Sequence, residues 1–418
     1  MFSLFPKIKD GEINLLLPSQ QIINQLQPRV TAFELSFSYI QVQFLTRSNY
    51  EADEPRKQAD MKKLIVSFLL LPFCVLSQTT TAHSNDYQYP DSIWQEIADL
   101  KMAGWNTTKL NDLKKFIIDS THTTGMFVVQ HGKVLFQYGD ILELSYLASC
   151  RKSVLSMLYG PFVENGKIDL NKTIEQLGLD DKGGLLPIEK KATIKDLLTA
   201  RSGVYHPASN EGDASSMAPK RGSVKPGTFW LYNNWDFNIA GFILEKETSR
   251  SIYDLVDSML ARPLHMQDWR TDAQHKMGDT TRSAYLAYHM WFSTRDMARI
   301  GYLMLRNGKW KNQQIIPANW VSVSTSVVTT NKEALQNKLA YFNFGYGYLW
   351  WVWDKPYNNP YYEGAYTAAG AFGQFITVIP KLDIVIAHKT KYEYGRQTPT
   401  DVYLRIIDKL ISATLNGK

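Results

Sequence analysis

Two residues in the stretch YLASCRKSVLSMLYG (Tyr146–Gly160) have types and spacing that could do chemistry. Ser149 is followed three residues later by Lys152, and an apolar-rich run with helical spacing comes directly after. Residues i and i+3 are neighbours on one helix face, so a hydroxyl at the first turn and an amine one turn deeper can exchange a proton. The helix N-terminus also stabilises negative charge that develops there. The chemistry offered is nucleophilic attack by an activated serine. Ser and Lys are both common, so the pair needs further partners before it carries an argument. Cys150, beside Ser149, reads as a small buried helix residue, and as a nucleophile it would need a histidine to stabilise its thiolate.

Several elements are available to position the pair. Thr124–Asp140 (TGMFVVQHGKVLFQYGD) has two β-rich runs around His131-Gly132 and reads as a hairpin. Helical pieces follow in VENGKIDLNKTIEQLGL and ATIKDLLTARSGV, and residues 203–228, rich in Gly, Ser, Pro and Asn, read as a long loop of the kind that rims a binding site. Helical patterns resume at FNIAGFILEKETSRSIYDLVDSML and STRDMARIGYLMLRNG. GQFITVIPKLDIVIAHKT reads as a second hairpin around Pro380–Asp383, and DVYLRIIDKLISATL as a closing amphipathic helix. Strands at both ends with helices between them predict a discontinuous α/β domain, about 90–160 with 340–418, around a helical insertion at about 161–339.

Composition narrows the function classes. The 418 residues, 44% hydrophobic and 21% charged, suit one large or two modest globular domains. A net charge of +6 without a run of five basic residues gives no argument for nucleic acid. No HExxH, paired-Cys or clustered His/Asp spacing argues for metal, and no phosphate-cradling glycine loop follows a strand. The Gly-x-Ser-x-Gly elbow of α/β-hydrolases is absent.

The N-terminus holds an anomaly. From Met61 the chain reads MKKLIVSFLLLPFCVLSQTTTAHS, with a positive start, an uncharged run from Leu64 to Leu76, and small or polar residues after it. That is the layout of a secretory signal peptide at 61–83, cut after Ser77 or Ala82, which would remove Cys74. Residues 1–60 then read as the product of an upstream start; the alternative is a genuine extension that makes 64–76 an internal hydrophobic segment. The expected location is periplasmic or secreted, with membrane contact through the cleaved leader alone.

The partner of the serine–lysine pair comes in PGTFWLYNNWDFNIAGFILE, where Tyr232-Asn233-Asn234 stands after the long loop and directly before a helix. Ser-x-x-Lys, then Tyr-x-Asn some eighty residues on, preceded by Pro-Gly-Thr and followed by Asn-x-x-Gly, resembles the serine β-lactamase and penicillin-binding-protein superfamily. Within it the chain is most similar to the class C-like branch, which includes D,D-peptidases, esterases and 6-aminohexanoate-dimer hydrolases. FVENGKIDLNKTI, ATIKDLLTARSGV and FSTRDMARIGYLMLRNGKW support the resemblance, which runs from about Thr124 to the C-terminus. It implies an α/β fold of an antiparallel sheet flanked by helices plus an all-helical insertion.

By this resemblance Ser149 is the acylated nucleophile, and Lys152 and Tyr232 share the acid/base work. Asn234 binds Lys152 or the substrate's carbonyl side chain. The third motif departs from the pattern: where lactamases carry Lys-Thr-Gly, this chain has YTAAGAFGQ, so Gly370 fits but the cation is missing. The amides of Ser149 and Ala371 are the expected oxyanion hole. An Ala-Ala-Gly strand cannot bind a penicillin carboxylate, so the expectation is a cofactor-free, exported hydrolase of carboxylic esters or short amides. A β-lactamase or D,D-peptidase is the alternative, and a non-catalytic penicillin-binding-like sensor the second one. Two further expectations concern substrate contact. The aromatic-rich segment Tyr341–Tyr362 would place Tyr357, Tyr361 and Tyr362 near the cleft, while His206, in the loop, reads as a solvated rim residue.

Overall fold

The structure is a computed structural model that describes residues 87–212, 216–336, 344–354 and 359–415. The leader expected at 61–83, Cys74 and Tyr357 lie outside these residues. Seven strands form one sheet: β1 (Gly125–Gln130), β2 (Lys133–Gly139), β3 (Gly345–Tyr346), β4 (Trp351–Val352), β5 (Tyr366–Gly370), β6 (Gln374–Ile379) and β7 (Ile384–Lys389). Their order is β2-β1-β7-β6-β5-β4-β3, and every neighbouring pair is antiparallel. The first and last parts of the chain therefore share the sheet centre, where β1 pairs with β7.

Both predicted hairpins form. At the first, His131 and Gly132 have φ of 51° and 79°, the pair of left-handed residues that a tight two-residue hairpin turn requires. Gly132 cannot be replaced freely, because a Cβ there would collide with the Gln88 carbonyl. The second turn runs through Pro380–Leu382 to Asp383, also left-handed at φ 54°, whose carboxylate accepts from His131 Nδ1 at 2.6 Å. That contact ties the two hairpin turns together.

β1, β6 and β7 are buried along their whole length, which explains their near-continuous apolar runs: helices cover both faces. Side chains alternate between the faces. Ile376 and Val385 face helix α4 (Thr294–Leu305), which approaches so closely at Gly301 that a Cβ there would clash with both. Phe375, Thr377 and His388 face helix α5 (Thr400–Ser412) instead. The Phe375 ring stacks on Tyr403 at 3.9 Å, and the Tyr403 and Thr377 hydroxyls lie 2.7 Å apart. Helix α1 (Thr107–Ser120) packs on α5, and helix α2 (Cys150–Glu164) lies along β5 and β6. The segment between the two sheet-forming parts is mainly helical, including helix α3 (Asn234–Thr248). It also holds short strands, among them Ala287–His289 with His275–Met277, and Trp291–Phe292 paired with Ser145–Tyr146, so the all-helical expectation is too simple there. Among the described residues no helix is long and apolar enough to cross a membrane.

His388 sits wholly inside this core. Its Nδ1 donates to Gly373 O at 2.9 Å, its Nε2 faces the Thr123 hydroxyl at 2.8 Å, and burial pushes its pKa down to about 4. The unfolded chain protonates this ring as pH falls through about 6.5, whereas the folded chain resists until about 4. Stability therefore falls with pH between those limits, by on the order of 3 kcal/mol for this residue alone. His289, held down to about 3 chiefly by burial, adds loss in the same direction. Urea midpoints measured from pH 7 to 4 should fall, and His388→Gln should flatten the dependence by its own share.

Candidate active site

The turn that carries Ser149 is built by short-range constraint. Ser145–Tyr146 pairs with Trp291–Phe292, and Leu147 N donates to Met290 O at 2.8 Å. Ala148 then takes a left-handed φ of 49° and Ser149 becomes the N-cap of α2. A non-glycine residue in that conformation stores roughly 1 kcal/mol or more of strain, a feature that collects at functional sites. The sheet presses on this turn from the other side. A Cβ on Gly370 would stand 2.9 Å from Leu147 O and 3.0 Å from Ser149 N, so only glycine lets β5 run this close. Lys389, at the end of β7, donates to the carbonyls of Ser145 and Phe292 and fastens the strand pair to the sheet.

Lys152 projects from the first turn of α2 into a site with 1% of its surface exposed. Its Nζ donates to Tyr232 Oη at 2.8 Å and to Asn234 Oδ1 at 2.7 Å, and lies over the rings of Tyr232 and Phe237 at 4.1 and 4.3 Å. Burial first, and the Arg151 guanidinium second, hold the amine well below the usual lysine range. Among the described residues no carboxylate pairs with Lys152. Tyr232 is stacked on Trp351 with ring centroids 5.2 Å apart, and burial raises its phenol, while the Ser149 hydroxyl and then the Arg151 charge pull it back. The phenol is thus held neutral and accepts from the Lys152 amine.

Asn234 opens α3, whose start is capped by Asn233 Oδ1 accepting from Trp235 N at 3.2 Å. Its Nδ2 donates to Asn210 O at 2.9 Å, which turns Oδ1 toward Lys152, and Gly212 of the same loop abuts that amide. The predicted loop therefore contributes to the site through its backbone. Behind it, buried Asp181 accepts from Trp235 Nε1 at 2.7 Å, Ser283 Oγ at 2.5 Å and Ala284 N at 2.7 Å, anchoring the α3 start.

The structure thus brings Ser149, Lys152, Tyr232, Asn234 and Gly370 together, and sets Ala371 at the exposed turn just after β5. Cys150 is buried with its thiol directed at Ala368 O and Gln374 O at 3.4 and 3.2 Å, and burial pushes that thiol far up, so it is no thiolate. Two expectations are corrected. His206 is buried, not solvated, with Nε2 2.7 Å from Lys182 O and Nδ1 3.0 Å from Pro207 O. Of the aromatic segment, Tyr346, Trp350, Trp351, Trp353 and Tyr362 are buried, and the Tyr362 hydroxyl donates to Asp408 on α5, so Tyr362 lies in the core and not at the cleft; Tyr361 is half-buried against the same core. Among the described residues no group of His, Cys, Asp or Glu is arranged to hold a metal ion.

Three comparisons bear on this arrangement. The Beta-lactamase family profile matches residues 117–408, which span every residue of the site. The chain belongs to the beta-lactamase family. An uncharacterised protein of Alkalihalophilus pseudofirmus is 23% identical over 263 residues, 57% of this chain and 71% of the relative. A Bacillus anthracis protein assigned as a 6-aminohexanoate-dimer hydrolase superposes with a TM-score of 0.55 at 21% identity, covering 78% of this chain and 88% of its own. EstCE1, described as a hydrolase with promiscuous acyltransferase activity, does so with 0.52 at 16% identity over 73% and 98%. These solved neighbours share the fold; membership of the beta-lactamase family together with the site supports a serine hydrolase in general.

Arg151 was not singled out by spacing. It is 1% exposed, its guanidinium lies over the Tyr288 ring at 4.9 Å, and its Nε has no hydrogen-bond partner among the described residues. Removing that charge should raise the Lys152 amine, since a cation beside an amine favours its neutral form. In Arg151→Met, the acid limb of Ser149 labelling by a fluorophosphonate should move to higher pH, with labelling at pH 6 slowed ~3- to 10-fold. Arg151→Lys should retain most of the wild-type profile.

Proposed function

We propose that this chain is an exported serine hydrolase that cleaves carboxylic ester or short amide bonds through an acyl-enzyme on Ser149. The observation that carries the reading is the buried Lys152 amine bonded to both Tyr232 and Asn234, one helical turn from Ser149. A neutral amine can accept a proton, and the phenol stands between it and the serine. As Ser149 Oγ attacks the carbonyl carbon, its proton passes to Tyr232 Oη while the Tyr232 proton passes to Lys152 Nζ. The tetrahedral oxyanion is held by the N–H groups of Ser149 and Ala371. Collapse expels the alcohol or amine, protonated by Tyr232, which recovers its proton from Lys152. Water, deprotonated along the same path, then releases the acid and restores Ser149.

Specificity for uncharged substrates rests on β5. Its residues Tyr366–Gly370 are buried and offer no cation to a substrate carboxylate, whereas Lys152 and Arg151 are committed behind the nucleophile. Export rests on the leader pattern at 61–83 alone, and N-terminal sequencing of protein recovered outside the cytoplasm should begin after Ser77 or Ala82.

Two measurements test the reading. Lys152→Met and Tyr232→Phe should each lower kcat for p-nitrophenyl butyrate by ~10²- to 10⁴-fold, with far smaller effects on KM. Turnover of p-nitrophenyl butyrate should exceed that of nitrocefin. The reverse order would make the chain a lactamase, and no fluorophosphonate label on native Ser149 would make it a non-catalytic binding protein.

A further inference from the structure

Beside the nucleophile stands a run of aromatic side chains drawn from four separate segments. Tyr146, three residues before Ser149, stacks on His289 at 5.1 Å and meets Trp291 at 5.6 Å and Tyr392 at 5.5 Å. Tyr392 stacks in turn on Phe372 at 5.1 Å with 23° between the rings. Phe372 directly follows Ala371, so one end of the run abuts the expected oxyanion donor. Tyr146, in the middle of the run, belongs to the short strand that leads into the Ser149 turn. The run therefore stands beside the candidate catalytic groups and reaches the protein surface at Phe372 and Tyr392.

These rings are not spent on the core. Phe372 and Tyr392 are 39% and 38% exposed, and Tyr146, His289 and Trp291 are half-buried. Phe372 also has a φ of 66°, a conformation that a bulky side chain adopts only at a cost. Keeping a large ring in a strained turn, half in water, is unfavourable for stability and points to use. The imidazole of His289 is neutral, so the stack presents uncharged ring faces. Such faces bind planar π-systems by offset or edge contacts.

We propose that Tyr146, His289, Trp291, Phe372 and Tyr392 form a substrate subsite for an aromatic ring carried next to the scissile carbonyl. This rests on the hydrolase reading above. It makes the natural substrate an aryl-bearing ester or amide rather than a purely aliphatic one.

The test compares kcat/KM within two matched pairs, vinyl benzoate against vinyl butyrate for the acyl side and benzyl acetate against butyl acetate for the alcohol side. In the wild type the aromatic member of at least one pair should be favoured ~10-fold or more. In the Phe372→Ala/Tyr392→Ala double variant, whose truncated rings are surface-exposed, that ratio should fall to within ~3-fold. No aromatic preference in either pair, or a preference that survives the double variant, overturns the subsite. Fluorophosphonate labelling of wild-type Ser149 reports the hydrolase reading separately. Should no ester turn over, quenching of tryptophan fluorescence by benzyl acetate in Ser149→Ala decides: saturation that the double variant loses supports the subsite, and its absence overturns it.

Discussion

A lysine amine removed from water, with a second cation beside it and no carboxylate partner among the described residues, is the constraint on which this molecule depends. A buried charge without a partner is so costly that such a group surrenders its proton instead. Lys152 escapes part of that cost by donating to Tyr232 and Asn234, and Asn234 is turned the right way because its own amide is fixed on Asn210. Arg151 settles over Tyr288 and sets its charge beside the amine. On the proposed reading, the result is a base prepared before any substrate arrives.

The rest of the fold holds that arrangement in place. Serine and lysine come from one helix, but the phenol and the asparagine arrive some eighty residues later, and the oxyanion strand more than two hundred. Their meeting is enforced by backbone contacts that tolerate little movement: Gly370 against Ser149 N, Lys389 across the Ser145 and Phe292 carbonyls, and Asp181 under the start of α3. Ala148 and Phe372 carry left-handed backbone on the two sides of the serine. A sheet covered on both faces supplies the rigidity that makes such strain sustainable.

What could be read in the sequence follows local physics. The hairpins at His131-Gly132 and Pro380–Asp383 were legible because turn chemistry and apolar runs act over a few residues, and the Ser149/Lys152 pair because one helical turn sets its spacing. Tyr232 and Asn234 were legible through motif order. Tyr362 was expected near the cleft, but ring density does not say which side chains a loop turns inward, and its hydroxyl reaches Asp408 instead; Trp351 and Tyr346 turn inward and support Tyr232 from behind. His206 was read as solvated because the carbonyls of Lys182 and Pro207 that enclose it are brought there by the fold. Arg151 stood in plain view within SCRK, but its burial over Tyr288 is a tertiary fact.

The distribution of charge also bears on selectivity. In this site the positive groups lie behind the nucleophile, where they act on protons, and β5 in front is Tyr-Thr-Ala-Ala-Gly. A cation in front would pay for its own desolvation by binding a substrate anion, and a neutral substrate would leave that bond unmade. With apolar side chains there, a carboxylate-bearing substrate would instead lose water without compensation. The proposed discrimination against anionic lactams would then come from the lack of a partner, leaving the arrangement of serine, amine and phenol itself unchanged.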